Sequence, residues 1–373
     1  MKKLLCIIIA IILLTASVSA NEISSLQYSY VLMEGSTATL LYADNGNYVF
    51  EPYHFSKLMT LLLAVEAIER GELSFDTVVT VSNHANSMPD PQIWLRVGEE
   101  IAVSELIMSI TVGNANDACV CLAEAVSGTE ETFVSSMNKR AEELGMSQTY
   151  YADSTGLTDG SYTTACDLAI LASELSHYGE LTEYFTTWLT YVRGDEAQLV
   201  NNNKLVRSYD GITGMKAFSS KSLGNCVLSS AKREDLTMIC VIIGEQEKDE
   251  QFSTAKEKMT VGFSAYMLYR PKTTDIYCRP VKVSKGVENE LETYVGNLDK
   301  FVIRKSREGD VEVHAEYFDG IIAPINCGDS VGRIVYTLDG EEAYSAPILA
   351  KDSTKKITFF SAFRKLFLDL IKM

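Results

Sequence analysis

Two β-rich stretches enclose a block of helical patterns, and this order constrains the fold more than any other feature of the chain. YVLMEGSTATLLYADNGNYVF, residues 30–50, reads as strands with an Asn45-Gly46 hairpin turn. NCVLSSA (225–231) and LTMICVIIG (236–244) are apolar, β-rich runs linked by KRED, a second hairpin. Between these sets, helical patterns run over residues 55–70, 103–112, 116–126, 130–144 and 163–176, with Gly145 closing the fourth. A further helix is predicted over residues 251–269. Helices grouped between strands predict an α+β domain in which helices pack on an antiparallel sheet.

A boundary falls near Arg270-Pro271-Lys272, and no helical pattern follows until the end of the chain. VEVHAEYF alternates, with Val311, Val313, Ala315 and Tyr317 on one face and His314 on the polar face. A later run turns at Asp339-Gly340. Residues 272–352 therefore read as a small all-β sandwich after a main domain of residues 21–271. In the tail, residues 353–373, Phe359, Phe360, Phe363, Leu366, Phe367 and Leu370 form one apolar face at helical spacing. Five basic residues there (Lys355, Lys356, Arg364, Lys365, Lys372) face the single acid Asp369. This amphipathic helix is too short to span a bilayer and is suited to lie in its interface; packing on its own domain is the alternative.

The other end is a targeting signal. Lys2 and Lys3 precede an apolar run from Leu4 to Leu14, and the small residues Val18-Ser19-Ala20 make a cleavage site. Residues 1–20 read as a signal peptide, so the chain is expected to be exported; an uncleaved anchor is the alternative. A formal net charge of −17 excludes a general nucleic-acid binder, which needs basic patches. Seven cysteines remain after cleavage, scattered and odd in number, and read as small core residues with one pair possible. His54, His84, His177 and His314 are far apart and lack the spacing of a metal site, so neither metal nor cofactor is expected.

The stretches KLMTLLLAVEAIERG, GNANDACVCLAEAVSG, FVSSMNKRAEELGM, DSTGLTDGSYTTACDLAILA and DGITGMKAF, in this order and spacing, carry a resemblance. The chain resembles the D-alanyl-D-alanine carboxypeptidases, the low-molecular-weight penicillin-binding proteins, over nearly all its mature length. The resemblance implies three motifs. Ser-x-x-Lys at a helix start puts hydroxyl and amine on one face, so that a neutral lysine can take the serine proton. Ser-x-Asn on a loop between helices relays protons and holds the substrate amide. Lys-Thr-Gly on an edge strand binds the terminal carboxylate and leaves room for the peptide backbone.

All three motifs are altered here. His54-Phe55-Ser56-Lys57 puts a histidine at the nucleophile position. Asn114-Ala115-Asn116 replaces the relay serine. Lys216-Ala217-Phe218 loses the hydroxyl at Ala217 and places a ring where glycine is expected. Lys57, Asn116 and Lys216 remain. Ser56 adjoins Lys57, about 100° round a helix, so their side chains diverge. His54 would have its pKa depressed by like charge if Lys57 is protonated. Other Ser-x-x-Lys strings, at residues 136–139, 229–232 and 353–356, are chance matches.

The expectation is an exported, membrane-associated homologue of these carboxypeptidases with a degenerate site. Its partners would be peptidoglycan stem peptides or envelope proteins, and the membrane surface through the tail. Active or residual peptidoglycan-trimming hydrolysis, through Ser56 or His54, is the alternative.

Overall fold

A computed structural model describes residues 28–273, 276–360, 362 and 363. The predicted signal peptide, residues 1–20, lies outside the described residues, as does the tail from residue 364 on.

Strands β1 (Ser29–Glu34) and β2 (Thr39–Asp44) open the chain. They turn at residues 35–38 and not at the predicted Asn45-Gly46. A buried carboxylate overrides the local turn signal. Glu34, fully enclosed, accepts the amide and hydroxyl of Thr37, the hydroxyl of Ser36 and the amide of Thr237. A buried carboxylate so solvated fixes the chain reversal beside it. Asn45, in the left-handed region at φ 49°, closes the exit of β2, where its carbonyl accepts the Tyr48 amide.

Helix α1 (Ser56–Glu69) is the central rod, with residues 56–65 buried in unbroken succession. A helix apolar on all sides belongs inside, and α1 is packed by its neighbours. The short β3 (Val78–Thr80), α2 (Asn83–Asn86) and β4 (Glu100–Ala102) lead to α3 (Val103–Gly113), α4 (Asn116–Ser127) and α5 (Glu130–Glu143). Helix α6 (Ala165–Leu175) starts at Thr164, whose hydroxyl accepts the Asp167 amide. Helix α7 (Thr182–Thr186) precedes the hairpin β5 (Leu189–Val192) and β6 (Ala197–Val200).

Three long strands complete the sheet: β7 (Ile212–Ser220), β8 (Gly224–Arg233) and β9 (Leu236–Glu245). The order is β2-β1-β9-β8-β7, antiparallel throughout, with β7 at the edge. One face packs on the helical block; the other packs on α8 (Glu250–Ala265). The helix predicted to run to residue 269 stops at Ala265. The chain continues as β10 (Tyr266–Tyr269), which pairs with β14 (Phe301–Arg304). Tyr269 and Phe301 pack ring on ring there, and aromatic cross-strand pairs favour the strand.

Apart from a 3-10 helix, Lys305–Asp310, the C-terminal part over residues 281–350 is built of strands. The pair β11 (Val281–Lys282) and β12 (Glu290–Leu291) faces a four-stranded sheet in the order β13-β17-β16-β15. Its strands are β13 (Thr293–Val295), β15 (Glu312–Tyr317), β16 (Ser330–Leu338) and β17 (Glu341–Ala350), with Asp339-Gly340 at the turn. His314 is exposed. Cysteines 119, 121, 226 and 240 are buried, Cys166 and Cys278 are half-buried, and all are free. Cys327 corrects the expectation of a wholly internal set: it sits exposed in the turn before β16. Phe359, Phe360 and Phe363 are exposed.

Candidate functional site

The site forms where the start of α1, the α3–α4 junction and the edge strand β7 meet. A single turn of 3-10 helix, Tyr53–Phe55, precedes α1 and carries His54. The loop of residues 153–158 is folded against this turn. The Asp153 carboxylate collects the amides of Thr155, Gly156, Leu157 and Thr158. Against the upward push of burial, the Thr158 side chain and then the amides of Gly156, Thr158 and Thr155 hold its pKa below the usual range. Gly156, at φ +82°, lies so near that a Cβ there would sit 1.9 Å from the Tyr53 carbonyl oxygen. This close approach requires glycine. The loop thereby aims the Thr155 carbonyl inward, where it accepts Lys57 Nζ at 2.6 Å.

Lys57 is fully buried, and its Nζ lies 3.5 Å from His54 Nδ1. Burial first of all pushes the Lys57 amine down to about 8. The His54 imidazole is driven down to about 3, by burial first, then by Lys57 and Lys216. Like charge alone was the sequence-based expectation; desolvation is the larger cause. His54 is therefore a neutral ring at physiological pH.

Lys216 projects from β7 to the same centre. Its Nζ donates to Asn114 Oδ1 at 2.6 Å and to the Ile110 carbonyl at 2.8 Å. Burial first, and then the like charge of Lys57, lower it to about 7. Asn114 caps α3 in the left-handed region (φ 57°), a conformation asparagine tolerates well. Asparagine at this position thus provides an acceptor for the lysine. Asn116 opens α4 with Nδ2 bonded to the Pro89 carbonyl at 2.9 Å, while its buried Oδ1 has no partner.

The third motif splits across the strand. Lys216 and Phe218 face the helical block, whereas Ala217 faces the opposite core with Ala255, Met259 and Phe263 of α8. Ala217 is therefore not a lining residue of the site. Phe218 meets His54 edge to face, ring centres 5.2 Å apart, and Phe55 at 4.8 Å. Tyr53 stands beside it at 6.2 Å, and its hydroxyl bonds the Ser222 hydroxyl at 2.7 Å. The aromatic cluster roofs the two lysines. Ser56 does not reach Lys57: its buried Oγ is unpartnered and lies on the Gly156 side. Among the described residues no three His, Cys, Asp or Glu converge as a metal would need.

The Thr155 and Ile110 carbonyls and the Tyr53–Ser222 tie escaped sequence reasoning. Backbone acceptors leave no residue signature, and the tie joins segments 169 residues apart. The stretch DSTGLTDG was the available signal for the first.

Residues 15–247 match the family described as D-alanyl-D-alanine carboxypeptidase, peptidase S11. Residues 271–356 match the family described as penicillin-binding protein 5, C-terminal domain. D-alanyl-D-alanine carboxypeptidase DacF of Bacillus subtilis (strain 168) is 34% identical over 100% of both chains. DacC of Escherichia coli (strain K12) is 24% identical over 89% of this chain and 85% of its own. Penicillin-binding protein 5 from Haemophilus influenzae has the same fold, with a TM-score of 0.79, 24% identity, and coverage of 91% of this chain and all of that one.

Proposed function

The chain belongs to the D-alanyl-D-alanine carboxypeptidase family, and from that premise we propose that it works at peptidoglycan as a member that binds and does not hydrolyse. The observation that carries this reading is His54 at the nucleophile position, neutral and covered by the Phe218 ring. An acyl-enzyme route needs an activated hydroxyl and an open place for the acyl group beside it. Here the hydroxyl is absent, and both amines donate inward to protein carbonyls. Phe218 occupies the strand edge along which a peptide backbone would lie.

In this reading the chain is exported, its main domain covers residues 21–271, and its β domain covers residues 272–352. Its basic, aromatic tail rests on the membrane surface. Exposure of Phe359, Phe360 and Phe363 supports that last part. Its partners are stem peptides of the wall or a protein of the envelope.

The test is covalent labelling of the mature protein by a fluorescent penicillin, read on a denaturing gel. No band is expected from the native chain. A band is expected from the threefold restoration His54→Ser, Asn114→Ser and Phe218→Gly. A stable band from the native chain that is lost in Ser56→Ala or His54→Ala would overturn the reading and make the chain an active hydrolase.

A further inference from the structure

Beside the closed cleft, the loop of residues 89–97 presents one side chain in an unusual way. Ile93 and Leu95 are buried, at 0% and 1% exposure, while Trp94 between them is 61% exposed. Trp94 holds φ 57°, a left-handed conformation that is a genuine outlier for a bulky residue. The backbone on both sides of it is clamped. The Asp117 carboxylate accepts the Ile93 amide at 3.1 Å and the Leu95 amide at 3.0 Å. Arg193 Nη1 donates to the Ile93 carbonyl at 2.9 Å, and Asn86 Nδ2 to the Leu95 carbonyl at 2.6 Å. Four flanking backbone groups are thus fixed by three side chains. The same loop is tied to the cleft, because Asn116 donates its amide to Pro91 and its side chain to Pro89.

Folding alone does not call for this. A glycine or asparagine would take the conformation without strain, and an apolar ring gains nothing from standing in water. Strain held by a surrounding clamp at the rim of a site marks function. The charge around the ring identifies the guest. Arg193 is paired with Glu99 and Arg96 with Glu196, so neither nearby guanidinium is left uncompensated for the carboxylates of a stem peptide. A neutral, hydroxyl-rich ligand suits this lip. The polarised C–H face of a pyranose ring stacks on the negative face of an indole, and the paired charged groups beside it supply donors and acceptors to sugar hydroxyls.

We propose that Trp94 is a stacking platform for a sugar ring of the peptidoglycan glycan strand, a hold on the wall saccharide that is separate from any hold on its peptide. This rests on the reading above, that the chain works at peptidoglycan without cutting it.

Two measurements test it. The chain has two tryptophans, so Trp188→Phe isolates Trp94 as the sole tryptophan, read by excitation at the red edge where tyrosine does not absorb. Its emission should shift with a soluble N-acetylglucosamine tetramer and stay unchanged with a pentapeptide ending in D-Ala-D-Ala. In the second, the full mature chain is sedimented with purified sacculi. Trp94→Gly should cost at least about tenfold in affinity, Trp94→Phe should keep most of it, and the melting temperature of Trp94→Gly should not fall. Equal sedimentation of the native chain and Trp94→Gly would overturn the platform and leave wall binding standing. A response to the pentapeptide alone would also overturn it, in favour of peptide capture. No sedimentation of the native chain would overturn both this inference and the reading beneath it.

Discussion

The helix side of the cleft and its strand side differ in distinct ways from the motifs that the family resemblance implies. On the helix side positions are kept and functional groups exchanged: His54 and Asn114 stand where serines are expected, and the glycine-tight loop still aims the Thr155 carbonyl at Lys57. On the strand side shape has changed: Phe218 fills space, while Ala217 faces away into the α8 core. In the proposed reading, one side lacks reactivity and the other lacks access. The losses are separable, so repair of either side alone should restore nothing.

The largest expected effect is on the helix side. Gly156→Ala would force a methyl group into the Tyr53 carbonyl at a left-handed position, and should cost at least about 3 kcal/mol in urea unfolding. If it costs under 1 kcal/mol, the helix start is not held by this loop and the contrast breaks. Next comes Phe218→Ala on the strand side. Removing a buried ring costs about 3 kcal/mol. The same change should make Lys216 accessible to an amine-reactive reagent, read by peptide mass spectrometry. An unchanged labelling rate would mean that Phe218 is not the roof.

The floor shared by both sides gives a pH signature. Folding lowers Lys216 from 10.5 to about 7, so across that window the unfolded chain binds a proton that the folded chain does not. Stability therefore rises with pH from about 7 towards 10. Lys216→Met lacks this gain. The native chain should improve relative to the variant by a few kcal/mol, on the order of magnitude of such shifts, as pH rises through the window. A constant difference would show that the lysine stays charged.

The smallest effect compares two histidines. His54 is lowered to about 3 from 6.5, so its neutral burial favours folding above 6.5 and that contribution is lost as pH falls towards 3. His84, whose Nε2 meets Glu130 at 2.6 Å, is raised by that hydrogen bond. Its contribution is present below 6.5 and is lost as pH rises through the raised value. Because His84 is half exposed, His84→Ala should cost only about 0.5 kcal/mol, and only in acid. Parallel urea titrations of His84→Ala and His54→Ala at pH 5 and 8 should give differences of opposite sign.

The sequence displayed the block of helices between strands because periodicity survives without tertiary context. It displayed the three altered motifs because they occupy fixed positions among quoted stretches. It misplaced the first hairpin because Asn45-Gly46 is a strong local signal, and a buried carboxylate at Glu34 has no local signature. It extended α8 through residue 269 because Tyr266 and Tyr269 also suit helical spacing, and their strand partner β14 lies beyond three intervening strands. It counted Ala217 with the site because motif adjacency does not reveal which face of a strand a residue takes. Trp94 looked like any residue of a mixed segment; only the four-point clamp around it made the ring conspicuous.

The pairing of β1 with β9 carries a consequence for how the molecule comes into being. Glu34 receives an amide from Thr237, 203 residues later, and β1 lies between β2 and β9 in the finished sheet. Until β9 has been synthesised, the β1–β2 hairpin holds a free edge and an unsatisfied acid that belongs in the interior. The helical block can assemble from neighbouring segments, but the sheet must close a loop of some two hundred residues, and such non-local closure is slow. The first strand made is among the last to find its place, and during that interval its exposed edge is the part of the nascent chain most open to pairing with the wrong neighbour.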